Sequence, residues 1–461
     1  MGKTDTLYRM EMAASRMVAE VELWGLSIDT DWLTRQGKEL GSYIDNRISN
    51  AWADWMRGPG RTTSEIAPVV GEGLNYSTPQ TIIEDLRTIF NSPKRLSYML
   101  YGKQGGNQII WPKYFKPSKY KTGDEYLEFI ATQTNLSTGV LAGAIQNIRE
   151  QSKLKSVYVD GILERLIGGR LYPGIQIAAA RTGRTSSSNP NIQNIPKSMR
   201  YMVIPTFDLL MGVDLSQIEL RVAAYVSQDP DMLEAFMSGV DFHAKTASKM
   251  FRVKPEDVTD EQRKVAKVLN FAVLYQAGPD KIGAMLKVDI VQARSWISDY
   301  FRSFPRLKEW INDAQFEILE MGFIESPLGR VRRLSGADNR TSEGRKLLRE
   351  GVNAVIQGMA SDIAVMYAYL VWTEIKKREL MSRLTPALVH DFFLLDVPRP
   401  EEVACIEIVM KSLNNLPRLI LAKFGINFNI PLAADIKIGT RWDAKNSSKI
   451  VISTIDKPRQ V

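Results

Sequence analysis

The sequence predicts an α+β fold, and three observations carry that prediction. Helical periodicity dominates two long blocks, 231–325 and 344–380. Short apolar runs with strand character lie outside those blocks, near 201–215, 386–397 and 430–439. Strands and helices do not alternate singly, as a parallel βαβ sheet would require.

The elements follow in order. Residues 1–56 have helical spacing, with "YRMEMAASRMVAEVELWG" closing at Gly25 and a second amphipathic run starting at Asp31. Gly and Pro then break the pattern in "RGPGRTTSEIAPVVGEG", a loop. "STPQTIIEDLRTIF" opens a helix with Ser77 or Thr78 as N-cap and a proline just inside it. The stretch 101–123 is Gly-rich, then basic with interleaved aromatics (Lys113, Lys116, Lys119 and Lys121 beside Trp111, Tyr114, Phe115 and Tyr120). It reads equally as a phosphate-tracking surface and as an exposed, proline-broken hairpin. Helical signal returns over 124–168, and the polar "ARTGRTSSSNPNIQNIP" is a loop. Residues 201–215 alternate like a strand and 217–227 read as a helix. After the helical block, 326–340 form a basic turn, and 344–380 a long helix. "PALVH" and "FFLLDV" read as a β-hairpin, followed by a helix over 400–424 and a strand in "IPLAADIKIG".

Composition narrows the function classes. At 461 residues the chain is long enough for two or three subdomains. Its 44% hydrophobic and 24% charged content is that of an ordinary globular protein. No apolar run reaches the roughly 18–20 residues of a bilayer span, and no export signal opens the chain. The single cysteine, Cys405, excludes an intrachain disulfide and a multi-cysteine zinc site. A formal charge of +8 favours an anionic partner, nucleic acid first. There is no P-loop, no GxGxxG and no HExxH; only His243 and His390 are histidines. Chemistry on nucleotides would therefore fall to carboxylates, cations and bound metal.

One helical stretch is unusual. In "RKVAKVLNFAVLYQ" Val265, Ala266, Val268, Leu269, Ala272 and Val273 gather into a core-facing stripe. Arg263, Lys267, Phe271 and Tyr275 recur at i, i+4, i+8 and i+12 on the other side. Two aromatic rings there point away from the core, in line with two cations.

Three carboxylates attract attention. Asp214 ends an apolar strand, where it either begins a turn or holds a hard cation through oxygen. Glu219 completes S-x-x-E with Ser216, the pattern of a capping box. Asp391 sits in a tight turn between apolar runs, where it is a turn former or a rigidly held carboxylate. Asp214 and Asp391 are far apart in sequence, and their spacing does not show that they meet.

"DLSQIELR" (214–221), "RKVAKVLNFAVLYQ" (263–276) and "VHD" (389–391) resemble, in order, the three polymerase motifs of family A DNA polymerases. "KLKSVYVDGIL", "RTGRTSSSNPNIQNIP", "DFHAKTA", "GRVRRL", "REGVNAVIQGMASDI" and "IPLAADIKIGTRW" are similar to further family segments, also in order. "MVAEVELWGLSIDTDWL" resembles the stretch that joins the family's exonuclease to its polymerase region.

The resemblance implies a right-hand polymerase fold, with an antiparallel-sheet palm, helical fingers and a helical thumb. An N-terminal palm-associated segment would occupy 1–30, the thumb 31–168, the palm 169–227 and 346–461, and the fingers 228–345. No 3′–5′ exonuclease is expected in the chain. The partners implied are primer–template DNA and dNTPs, and the reaction is two-metal phosphoryl transfer. Asp214, Asp391 and the Leu215 carbonyl would bind two Mg²⁺, for which Mn²⁺ can substitute. Arg263 and Lys267 would face the triphosphate, with Lys267 also donating a proton to the leaving pyrophosphate. Phe271 and Tyr275 would meet the incoming nucleotide and the template base, and His243 and Gln217 would add triphosphate contacts. Glu219 would crowd the sugar 2′ position. Arg184, Gln193, Arg349, Asn353, Gln357 and His390 would line the primer–template.

There are departures from the family pattern. Phe392 stands where the family has Glu, and Ala272 and Gln276 where it has glycines. Two alternatives stand beside the polymerase reading: a single-subunit RNA polymerase relative, and a non-catalytic nucleic-acid-binding protein that kept the fold. The short layout points to a phage-type protein, and the absence of a targeting signal to the cytoplasm of a bacterial or phage-infected cell.

Overall fold

The computed structural model describes residues 2–56, 79–101, 123–132, 137–443, 447–454 and 459–460. The Ser77/Thr78 cap and the basic aromatic segment 102–122 lie outside these residues. The chain forms two compact units, Asp29–Leu166 and Met1–Ile28 together with Ile167–Val461.

The unit Asp29–Leu166 is helical. Its longest helix, Thr30–Met56, begins where the Asp29 carboxylate accepts the Trp32 amide at 2.8 Å. Ile44, Ile48 and Trp55 from its buried stripe pack with Leu86, Phe90, Leu127, Ile130 and Ile145 into one core. The helical signal over 124–168 resolves into Asp124–Ala131, Ser137–Lys153, a π-helical Leu154–Asp160 and a turn at Gly161–Leu163. The wider π turn places the consecutive residues Tyr158 and Val159 in the core. Val159 presses on Gly37, where any Cβ would come within 2.9 Å of its methyl.

The larger unit is built on an antiparallel sheet of six strands. Its order is Arg459–Gln460, Ser448–Ser453, Ala433–Gly439, Leu209–Leu215, Phe392–Val397, Arg383–Val389. The strand expected to alternate over 201–215 does not. It is two pieces, Val203–Ile204 and Leu209–Leu215, and the second is buried at every position except Asp214. A strand covered on both faces loses the alternation that a half-exposed strand shows.

The helix Ser342–Lys377 runs through this unit with twenty buried residues, and over 351–364 every position but Asn353 is buried, as an enclosed helical segment should be. It corrects the expectation that nothing in the chain is apolar enough to span a membrane: by length and composition this helix is, and 83% of its apolar window is buried inside the protein. Arg330, from "GRVRRL", bonds both Asp362 on this helix and Glu11 on the helix Lys3–Trp24, at 2.5 Å each. The basic turn over 326–340 is in part a short hairpin, Phe323–Glu325 with Val331–Arg333.

Candidate active site

The strand Leu209–Leu215 carries Asp214 to its exposed end. In the sheet register Asp214 lies directly opposite Phe392 on one neighbour and Asp435 on the other. The hairpin reading holds: Arg383–Val389 and Phe392–Val397 are joined by His390 and Asp391 alone, with His390 left-handed at φ 58°. The Leu215 amide donates to the Asp391 carbonyl at 3.0 Å. Strand pairing thus brings the two aspartates, remote in sequence, to adjoining chain ends.

Both line one cleft of about 490 Å³. Asp214 opens into it, yet its walls withdraw enough water to push the carboxyl up to about 6, helped by Asp435. Asp391, half-buried, is pushed up to about 7, first by burial and then by the charge of Asp214. Below the ordinary carboxylate range both groups are neutral in the folded and unfolded chain alike. Above it the folded carboxyls keep protons that the unfolded chain gives up, so stability falls as pH rises from about 4 to about 7 and levels off beyond. Asp391→Asn is therefore expected to raise the unfolding midpoint in EDTA by about 1–3 °C at pH 8 and not at pH 4. Thermal scans at the two pH values check this.

The helix Asp260–Leu274 forms the facing wall. Thr259 and Gln262 close a capping box at its start. Ala266, Leu269, Ala272 and Val273 are buried, while Arg263, Lys267, Phe271 and Tyr275 line the cleft. Arg263 donates to Asp241 at 2.7 and 3.0 Å. The other Asp241 oxygen caps the helix Phe242–Phe251 by accepting the His243 and Ala244 amides. His243 is enclosed; burial pushes it down to about 4, so it is neutral. Its Nδ1 accepts from Asn270 Nδ2 at 2.9 Å, and Nε2 lies 3.5 Å from the Gln217 side chain.

The capping box read at Ser216–Glu219 does not form. The helix Ile218–Ser227 starts at a left-handed Gln217 with no side-chain cap. Glu219 instead pairs with Arg184 and accepts from the Tyr275 hydroxyl at 2.8 Å. Two charge-assisted partners from other elements outcompete one local amide.

Other expected residues divide. Leu215, Gln217, Gln357 and His390 line the cleft, and burial lowers the His390 imidazole. Gln193, Arg349 and Asn353 are not on its walls. Gln193 donates to Thr185 and to the Leu388 carbonyl, and the Asn353 side-chain oxygen is buried without a partner. Asp435, Ser361 and Asn270 were not anticipated. Asn270 alone left a sequence trace, as an amide interrupting the buried stripe of its helix.

The departures have structural consequences. The Phe392 ring stacks on Trp442 at 5.6 Å and lies over Gly212, where a Cβ would stand 2.8 Å from it. Gln276 takes the left-handed φ of 47° that glycine favours, and accepts from Gln315 at 2.6 Å.

The model of DNA polymerase family A matches residues 77–444. DNA polymerase I of Bacillus caldotenax and of Bacillus subtilis (strain 168) are each 29% identical over 95% of this chain. The chain spans about half the length of these relatives, 46% in both cases. A solved structure, the POL domain of Pol1 from M. smegmatis in complex with DNA primer-template and dNTP, superposes with a TM-score of 0.77. It is 26% identical, and the match covers 95% of this chain and 70% of that one. With the family model matched over most of its length, on a palm-like sheet whose cleft gathers the motif residues, the chain belongs to DNA polymerase family A.

Proposed function

We propose that this chain is a template-directed DNA polymerase that adds dNTPs to a primer 3′-hydroxyl. One observation carries the reading: two carboxylates on adjoining strand ends face a helix wall of two cations and two aromatic rings across one cleft. Phosphoryl transfer asks a protein mainly for positioning and neutralisation of charge, and such a cleft offers both.

The donors present fit hard divalent cations, Mg²⁺ first. Asp214 and Asp391 are oxygen ligands whose ionisation is resisted first by burial and then by a neighbouring carboxylate, a cost that a bound cation would relieve. They would hold two ions with the Leu215 carbonyl, and the ions, when bound, supply Lewis-acid charge at the primer hydroxyl and the triphosphate. Among the described residues no ready cluster of three metal-binding side chains exists, so substrate oxygens or water would complete the coordination.

The chain's own residues do the rest. Lys267 and Arg263 bind the triphosphate; Arg263 must exchange Asp241 for it. Lys267, which lines the cleft, would pass a proton to the departing pyrophosphate. His243, neutral and fixed by Asn270, offers a hydrogen bond without adding charge. Phe271 packs on the incoming sugar and base, and Tyr275 stands at the template-base position. Arg184, with Gln193, Arg349, Asn353, Gln357 and His390, tests the primer–template minor groove, whose acceptors are nearly the same for every base pair. Duplex must draw Arg184 away from Glu219. The phage-type layout finds no support among the relatives named, which are bacterial.

Arg263→Ala and Lys267→Ala should each raise the KM for dNTP by about 10–100-fold, while primer–template affinity changes by less than about 3-fold. Steady-state extension and a DNA-binding titration separate the two. Loss of DNA affinity with an unchanged KM would place the stripe against the duplex instead.

A further inference from the structure

We propose that Asp435 is a further positioning carboxylate for the divalent cations, serving Asp214 from the flank opposite Phe392. The inference rests on the polymerase reading and extends it to a residue in the C-terminal strand.

Three neighbouring strands present one row at the level of Asp214: Asp435, Asp214 and Phe392, each directly opposed to the next. Directly opposed side chains stand on one face of a sheet, about 4.5–5.5 Å apart at Cβ. On one flank the row is closed to charge, since the Phe392 ring lies over Gly212 and against Trp442. That flank supplies Asp391 from the hairpin turn; on the other flank of the Asp214 strand, Asp435 lines the same cleft as Asp214 and Asp391. Strand pairing along Ala433–Gly439 fixes its place.

Its partner defines the action. One Asp435 oxygen pairs with Lys449 at 3.3 Å, on the adjoining strand Ser448–Ser453. Lys449 is a rim residue with nearly half of its side chain exposed. Without metal it offsets the Asp435 charge; with metal it competes for it. Asp435 then adds negative potential, and an acceptor for metal-bound water, beside the ion that Asp214 ligates. It need not be a direct ligand.

This arrangement separates charge from scaffolding. If Asp435 only buttresses the sheet through its ion pair, removing either partner has the same effect. If it serves the cations, only the removal of Asp435 weakens their binding.

The test titrates Mn²⁺ by electron paramagnetic resonance into the full chain bound to primed DNA with a dideoxy-terminated primer. In parallel, the Mg²⁺ dependence of extension is measured on an unblocked primer. Asp435→Asn is expected to weaken Mn²⁺ binding by about 5–10-fold and to raise the half-saturating Mg²⁺ concentration equally, with the dNTP KM unchanged at saturating metal. Lys449→Met is expected to leave Mn²⁺ affinity unchanged or tighten it by about 2-fold. Unaltered Mn²⁺ binding in Asp435→Asn, or equal losses in both variants, would overturn the proposal. Asp214→Asn is the separate control: Mn²⁺ binding that survives it would defeat the metal assignment itself. Asp435→Glu retains the charge if Asp435→Asn misfolds, and it should keep Mn²⁺ affinity within about 3-fold of the parent.

Discussion

Asp214→Ala or Asp391→Ala is expected to lower primer extension in Mg²⁺ by about 10³-fold or more, equivalent to about 4 kcal/mol of transition-state stabilisation. Backbone pairing holds the two residues at adjoining chain ends, with the Leu215 amide on the Asp391 carbonyl and Phe392 opposite Asp214. Truncating either side chain leaves that pairing intact. The fold should therefore survive, and the loss should appear in kcat rather than in DNA affinity. Single-turnover extension with prebound primer–template measures it, and a thermal scan confirms folding. Extension that persists in either variant would defeat the metal assignment. A parent that binds primed DNA but never extends it would favour the non-catalytic alternative.

The second large effect concerns choice of sugar. Glu219→Ala is expected to raise ribonucleotide incorporation relative to deoxyribonucleotide by about 10²–10³-fold. Glu219 lines the cleft and, once duplex has drawn Arg184 away, is still held by the Tyr275 hydroxyl at 2.8 Å, so moving its carboxylate aside breaks that bond. On the proposed polymerase reading, a nucleotide carrying a 2′-hydroxyl would displace it or leave a polar group poorly paired, either at a cost of about 3 kcal/mol. Separate reactions with dNTPs and NTPs on one primed template read the ratio, and they also address the RNA polymerase alternative. Glu219→Gln keeps the size and can still accept from Tyr275, so it should retain most of the discrimination. Unchanged selection in Glu219→Ala would reduce the residue to a tether for Arg184 and Tyr275.

Local chemistry was legible where it depends on neighbours in the chain. The stripe from Arg263 to Tyr275 follows from helical periodicity, and the hairpin around Asp391 from two apolar runs separated by two residues. Motif order along the chain supplied the family, because it records several such local patterns at once. Where a residue had two local explanations the sequence could mislead. S-x-x-E at Ser216–Glu219 is a sound capping pattern, yet Arg184 and Tyr275 took the carboxylate away.

Composition, helical and strand periodicity and motif order thus established the α+β class, the cation–aromatic helix face and the candidate acids, all short-range properties of a chain. Strand register and the approach of distant elements settled what remained. They brought Asp391 beside Asp214, put Asp435 on its far flank, and turned Phe392 from a missing carboxylate into a ring lodged on Gly212 and Trp442. The physical reason is that pairing between strands far apart in sequence is selected by the packing of the whole sheet, and a shift of one residue would turn every one of these side chains to the other face.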